Sequence, residues 1–326
     1  MRAIRIDRFG GPEVLTPVEL STPDPAPGHV LIRVEAAGVN FMDVYARTGG
    51  AGYGRSLPFI PGAEGAGIVE ALGEGALGLH IGQRVAWAGV PGSYATHVSA
   101  PLDKLVAVPD DVSARDAAAA MLQGLTAHYL SHATFALKPG DTCLVHAAAG
   151  GVGLLLVQMA KRAGALVFAT TSTEEKARLA REAGADEIIF YTREAFDHVV
   201  RARTANRGVD VVYDSVGKTT FDKGLACLRP RGLMVLFGQS SGPVPPFDLQ
   251  VLNARGSLYV TRPTLGNYVA TRDELIARAE AVLHWMRRGE LKIRLDRVLP
   301  LSKAADAHRA LESRETSGKI LLAPDE

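Results

Sequence analysis

Hydrophobic and polar positions follow two different rhythms along this chain, and the change of rhythm marks its organisation. Residues 1–8 alternate like a strand, Gly10-Gly11-Pro12 turns, residues 23–27 form a proline-rich connector, and residues 29–36 alternate again. Glycines then punctuate the pattern. Gly49, Gly50, Gly52 and Gly54 make a loop, Gly62, Gly65 and Gly67 enter a strand, and Gly73, Gly75 and Gly78 mark the turns after it. Short, glycine-cut strands of this kind predict a small, twisted, partly barrel-like β domain. After Asp110 the period lengthens. Residues 113–121 read as an alanine-rich helix and 124–134 as a second.

From Thr142 buried strands alternate with helices: 143–147, 152–163, 166–170, 174–183, 187–190, 210–215, 221–228 and 233–237. Repeated β-α of this length predicts a parallel sheet covered by helices on both faces. A long amphipathic helix at 273–288, a strand at 293–299, a helix at 304–313 and a strand at 319–323 return to the style of the opening. The layout predicted is α/β: a doubly wound cofactor domain, 126–264, inserted between the two parts of a β-rich catalytic domain, 1–125 and 265–326.

Composition narrows the setting. The chain has 326 residues, 47% hydrophobic and 22% charged, enough for two domains that each bury a core. Its 36 basic and 35 acidic residues leave no polybasic footprint, which argues against nucleic acid as a partner. No apolar run approaches the roughly 18 residues of a membrane span, and the first nine residues lack the layout of a secretory signal. A cytoplasmic location is the expectation. Cys143 and Cys227 are too few for a disulfide framework or a thiolate cage and sit in apolar company, as buried reduced thiols do.

Candidate chemistry begins at His146-Ala147-Ala148-Ala149-Gly150-Gly151-Val152-Gly153, between a buried strand and an apolar helix. The dinucleotide fingerprint G-x-G-x-x-G is matched only in part, with Ala148 in the first place, then Gly150 or Gly151, then Gly153, and its strand-turn-helix setting favours a cofactor loop over a merely structural tight turn. Glycines there let backbone N–H groups and a helix N-terminus approach a pyrophosphate. The next strand ends Thr170-Thr171-Ser172, without the acid that accepts from the ribose hydroxyls of NAD, and Lys176 follows. A 2′-phosphate would be repelled by that acid and attracted by an ammonium, so the cofactor expected is NADPH. Glu174 and Glu175 oppose this, although a helix's first turn favours acids anyway.

Pro61-Gly62-Ala63-Glu64-Gly65-Ala66-Gly67-Ile68-Val69, taken with the loop at 147–153, resembles the medium-chain dehydrogenase/reductase superfamily. That implies a Rossmann cofactor domain and a GroES-like catalytic domain. Zinc-binding members carry a histidine just before the glutamate and a cysteine near the place of Asn40. This chain has Ala63 and no cysteine there, and no metal is expected. Catalytic zinc needs about three protein ligands, and without a Lewis acid an activated acceptor is easier to reduce than an alkoxide is to stabilise.

Gly10-Gly11-Pro12-Glu13-Val14-Leu15, Gly38-Val39-Asn40-Phe41, Val211-Val212-Tyr213-Asp214-Ser215-Val216-Gly217 and Gly256-Ser257-Leu258-Tyr259-Val260-Thr261-Arg262-Pro263 extend the resemblance over essentially the whole chain. They are similar to the bacterial, zeta-crystallin-like quinone oxidoreductases. By that resemblance Asn40 and Tyr45 line the nicotinamide and acceptor pocket; Tyr53, in the glycine loop, either closes the cleft or lies on the surface, and Arg262 either anchors the cofactor or substrate or is a salt-bridged loop residue. Asn40, Gln123, Thr126, Ser215, Phe237, Gly238 and Val260 contact the nicotinamide half of the cofactor, and residues 149–153 (Ala149, Gly150, Gly151, Val152, Gly153) hold the pyrophosphate. Ser172, Lys176 and Tyr191 meet the 2′-phosphate, with Lys319 closing that site. Gln123 stands where many relatives have lysine. Asp214 reads as a structural cap.

The activity implied is NADPH:quinone reduction, in which the protein positions its substrates and excludes water. The acceptor is a quinone or activated carbonyl compound. The alternatives are enone or alkenal double-bond reduction, or an NADPH-modulated RNA-binding or crystallin-like structural role. The family also implies a homodimer, and residues 258–261 offer a sheet edge that could pair across a two-fold axis.

Overall fold

In the computed structural model, which describes residues 1–50 and 52–324, the alternating stretches of the first hundred residues are strands round one apolar core. β1 (Arg2–Arg5) pairs antiparallel with β2 (Thr16–Glu19). The spine of the larger sheet is β3 (His29–Val39), and α1 (Phe41–Arg47) follows it directly. β4 (Glu64–Leu72), β5 (Arg84–Ala88), β6 (His97–Pro101) and β7 (Val106–Ala107) continue antiparallel. Two register shifts where β3 meets β4 mark bulges, which increase twist and bend the strand. Ile32, Val34, Trp87 and Tyr94 fill the interior, and the indole N–H of Trp87 donates to Ser93 Oγ at 2.9 Å.

The helix α2 (Ala114–Tyr129) runs unbroken where two helices were expected at 113–121 and 124–134. Gly124 does not end it. A Cβ there would lie 2.9 Å from Val282 Cγ1, so the missing side chain serves close packing instead. Leu130–Thr134 then loosens into a π turn.

Contacts divide the chain into two units: Met1–Leu125 together with the stretch from Val269 onward, and Thr126–Tyr268. The second unit holds β8 (Thr142–Val145), α3 (Gly151–Arg162), β9 (Leu166–Thr171), α4 (Glu174–Glu182), β10 (Glu187–Phe190) and α5 (Phe196–Arg203). It continues with β11 (Val209–Asp214), α6 (Phe221–Cys227), β12 (Leu228–Leu236), α7 (Gln250–Ala254), β13 (Tyr259–Thr261) and α8 (Leu265–Tyr268). The strand order is β10-β9-β8-β11-β12-β13, all parallel. The winding reverses between β8 and β11, which puts the ligand crevice of such a sheet at the carboxyl ends of those strands. The unit ends at Tyr268 rather than at residue 264. The Tyr268 ring stacks on Tyr129 at 4.2 Å and its hydroxyl accepts from Thr134 Oγ1 at 3.0 Å.

The tail returns to the first unit with α9 (Arg272–Arg287), β14 (Leu295–Pro300), α10 (Ala304–Glu312) and β15 (Lys319–Ala323). Thr271 and Glu274 form a capping box at the start of α9. β15 lies between β14 and β3 in the sheet β14-β15-β3-β4-β5-β7, with β6 added on β3. Among the described residues no helix is long and apolar enough to cross a membrane. Cys143 and Cys227 are buried and free.

Candidate active site

The second unit carries the phosphate loop. β8 ends at Val145, and the loop turns at Ala147, which adopts φ 51° without being glycine. Thr170 anchors it: its hydroxyl accepts from Ala147 N at 3.3 Å, and its carbonyl accepts from Ala148 N at 3.1 Å. Gly150 is the N-cap of α3. At Gly153 a Cβ would lie 2.4 Å from the Ala147 carbonyl oxygen, so only glycine lets the first turn of α3 close on the loop. Thr171 Oγ1, at the end of β9, is buried without a hydrogen-bond partner. A cradle that a Cβ would fill, beside an unanswered hydroxyl, fits a bound dinucleotide.

Around that strand end lie the residues expected at the adenosine. Ser172 and Lys176 are half-buried and Tyr191 is exposed; Tyr191 N donates to Thr171 O, and Thr192 Oγ1 donates to Ser172 O. Arg193 was not anticipated. It pairs with Glu174 at 3.2 Å, answering the acid that argued against a 2′-phosphate. Phe237 and Gly238 follow β12 and donate their N–H groups to the Asp214 carbonyl. The Asp214 carboxylate caps its own loop, accepting from Val216 N, Gly217 N and Thr220 Oγ1, as the sequence suggested. Ser215 is half-buried and Arg262 exposed, with one guanidinium N–H on Pro263 O. Val260, on the edge strand β13, is 39% exposed. Gln123 is half-buried and Thr126 buried on α2.

Lys319 requires a correction. It lies on β15 of the first unit, 1% exposed, its ammonium bonded to Glu64 Oε2 and to Asn40 Oδ1 and so not free for a 2′-phosphate. A buried ammonium needs a buried anion, and Glu64 at 0% exposure is that anion. Asn40 is drawn into the same knot: its Nδ2 donates to Glu64 at 2.8 Å. The expected donation from Asn40 to an acceptor oxygen therefore competes with an existing buried partner.

A pocket of the first unit lies against α1, which contributes Met42, Asp43 and Ala46 to it. It is a cavity of about 240 Å³ whose walls include Met42, Asp43, Tyr53, Arg55, Phe59 and Ala63. The Tyr45 and Tyr53 ring centroids are 5.0 Å apart, and Tyr53 is in the pocket wall. Among the described residues no group of three or more His, Cys, Asp or Glu is placed to hold a metal ion.

Comparison with known proteins gives two family matches. Residues 26–110 match the alcohol dehydrogenase GroES-like domain and residues 151–281 the zinc-binding dehydrogenase family. A quinone oxidoreductase of Pseudomonas aeruginosa is 45% identical over 99% of both chains. A 2-haloacrylate reductase of Burkholderia is 41% identical over 98% of each. The Escherichia coli quinone oxidoreductase, solved as a complex with NADPH, is 42% identical and superposes with a TM-score of 0.97, covering 99% of this chain and 100% of that one. The chain belongs to the quinone oxidoreductase family of medium-chain dehydrogenases/reductases.

In this quinone oxidoreductase-family chain the pocket has an acidic wall that sequence reasoning passed over. Asp43 is 3% exposed and sits at the third position of α1, where its carboxylate accepts from Asn40 N at 2.9 Å. The N-x-x-D spacing from Asn40 to Asp43 was the available signal, a capping-box pattern. Burial pushes the Asp43 carboxyl up to about 7, against the Asn40 N–H and the Lys319 charge, which pull it down. His308, behind it and 0% exposed, is pushed down to about 3 by burial and by the Arg47 charge.

These two groups act on stability in opposite senses. Asp43 keeps its proton to about pH 7 when folded, against 3.8 ordinarily, so its contribution falls as pH rises from about 4 to 7. His308 refuses a proton down to about pH 3, against 6.5, so its contribution is lost as pH falls from about 6.5 to 3. Between about pH 4 and 6.5 the slopes oppose. Asp43→Asn removes one of them. Its urea midpoint should fall more steeply than the wild type's between pH 6.5 and 4, and should stand higher relative to wild type at pH 8 than at pH 5. Parallel pH curves for the two proteins would contradict the placement of the Asp43 proton.

Proposed function

We propose that the chain reduces quinones with NADPH, and that the acceptor occupies the pocket beside Tyr45 and Tyr53. The observation that carries this reading is a pocket of about 240 Å³, a fit for a small planar ring, with Tyr53 in its wall and the Tyr45 ring centroid 5.0 Å from that of Tyr53. The cofactor reading rests on the Gly153 cradle and on the relative solved with NADPH. Residues 149–153 would hold the pyrophosphate. Ser172, Lys176 and Tyr191 would hold the 2′-phosphate, with Arg193 offsetting Glu174. Gln123, Thr126, Ser215, Phe237, Gly238 and Val260 remain the candidates for the nicotinamide half, and Arg262 a candidate to anchor the cofactor or the acceptor.

When bound, NADPH supplies a hydride. The chain's own task is to orient an acceptor, keep water away and stabilise charge on its oxygen. A quinone spreads that charge over its ring, so a metal Lewis acid is not demanded. The 2-haloacrylate reductase among the relatives supports a second reading, reduction of a carbon–carbon double bond in the same pocket.

A homodimer through β13 fits the exposed edge of the second unit's sheet, where Tyr259 is 62% and Val260 39% exposed. The two free, buried cysteines suit the reducing cytoplasm.

NADPH absorbance should fall rapidly on adding 1,4-benzoquinone, little with NADH, and equally with or without chelator. Gly153→Ala should weaken NADPH binding, followed by its fluorescence, by tenfold or more, about 1.4 kcal/mol. NADPH bound without quinone turnover would move the reading to 2-haloacrylate or enone reduction. Sedimentation should give twice the 34.6 kDa of one chain, and a monomer at micromolar concentration would remove the dimer.

A further inference from the structure

Behind the pocket, buried polar side chains form a line of hydrogen bonds whose direction is fixed by chemistry. Arg47, 1% exposed, holds Glu312 through two N–H groups at 2.8 and 2.9 Å, and a third contact puts its Nη1 3.1 Å from His308 Nδ1. A guanidinium only donates, so His308 Nδ1 accepts and its ring proton lies on Nε2. That proton points to Tyr94 Oη at 3.1 Å. Tyr94, with its oxygen accepting there, donates its own proton to Asp43 Oδ2 at 3.3 Å.

Asp43 Oδ2 therefore receives two donors, Tyr94 Oη–H and Asn40 N–H. Oδ1 has no hydrogen-bond partner among the described residues, and Asp43 is part of the pocket wall. An acid proton on this residue belongs on the oxygen that no donor faces, which is Oδ1.

Resting on the functional reading above, we propose that Asp43 is the proton donor to the acceptor reduced in this pocket. The acceptor gains a hydride, two electrons and one proton, from the reductant. Its carbonyl oxygen, now an oxyanion, takes the Asp43 proton: one O–H bond forms and the Oδ1–H bond breaks. The carboxylate left behind is met by Tyr94 Oη–H and Asn40 N–H and recovers a proton from water entering the pocket.

The charged and titratable groups facing Asp43 are consistent with that duty. Glu64 raises its proton affinity, Lys319 and the Tyr94 hydroxyl lower it, and burial is the largest influence, leaving the carboxyl at about 7. Such an acid is half-protonated near neutral pH and still stronger than a phenol, the condition for efficient general-acid catalysis. His308, held neutral, does not take the proton back through Tyr94. Arg55 is the cation on the pocket wall itself.

The test is Asp43→Asn, which keeps an oxygen for the Asn40 N–H but has no acidic proton. Wild-type kcat should decline above about pH 7, whereas the variant should be slower by on the order of 10²-fold and lack that limb. Infrared difference spectra of the cofactor-free protein should show a carboxylic-acid band lost through about pH 7 and absent from Asp43→Asn. An unchanged pH–rate profile in the variant, or no such band in wild type, overturns the proposal. Should Asp43→Asn fail to fold, Tyr94→Phe decides. Loss of its O–H donor should move the wild-type limb upward by about half a pH unit, and an unmoved limb counts against Asp43. If wild type binds NADPH but reduces neither quinone nor 2-haloacrylate, the functional reading itself fails. Wild-type turnover with an unaltered variant profile removes only the proton role.

Discussion

The first unit depends on one buried ion pair. Glu64, at the start of β4, meets Lys319, at the start of β15, and neither side chain is more than 1% exposed. The carboxylate also accepts from the Asn40 amide, before α1, and from Leu122 N in α2. Four elements far apart in sequence thus converge on two oxygens. Burying two charges carries a desolvation cost that their attraction only roughly offsets. What the arrangement supplies is geometry, since either charge alone would be destabilising by roughly 3–5 kcal/mol. It seats the last strand against β3, and it sets the start of α1, from which Asp43 and Tyr45 project.

Most of the architecture was legible because it follows from periodicity. The parallel strands of the second unit appear in the order that buried runs and helices alternate in the sequence, and Gly153 lies in a strand-turn-helix setting that only a close approach explains. Reading stopped where the meaning of a residue is set by distant partners. Gly124 looks like a break until Val282, on α9, is brought against it. Lys319 looks like a phosphate-binding cation until its strand pairs with β3 and its ammonium is sealed under Glu64. Asp43 looks like a helix-capping acid. Its burial under Tyr94 and His308 depends on α10, more than 200 residues onward.

The candidate phosphate loop and the candidate acceptor pocket are built by different means. The phosphate loop uses local backbone: Ala147 in the left-handed region, Gly150 and Gly153 without side chains, and Thr170 bonding two N–H groups. The proposed acceptor pocket uses side chains from one short helix and a glycine loop, backed by a polar cluster that folds in from the tail. Backbone cradles leave a signature in composition, whereas a side-chain cluster leaves scattered, ordinary residues. That is why the cofactor half was the easier of the two to foresee.

The division of the chain has a consequence for how it is made. Thr126–Tyr268 is contiguous, so every residue of the second unit has left the ribosome before Lys319 is added. The first unit has its Glu64 carboxylate ready early but must wait for another 255 residues to be added before its counter-charge exists. Domains usually fold as units, N-terminal first, during synthesis. Here the middle of the chain is complete before the beginning, and the first domain to be started is the last that can be finished.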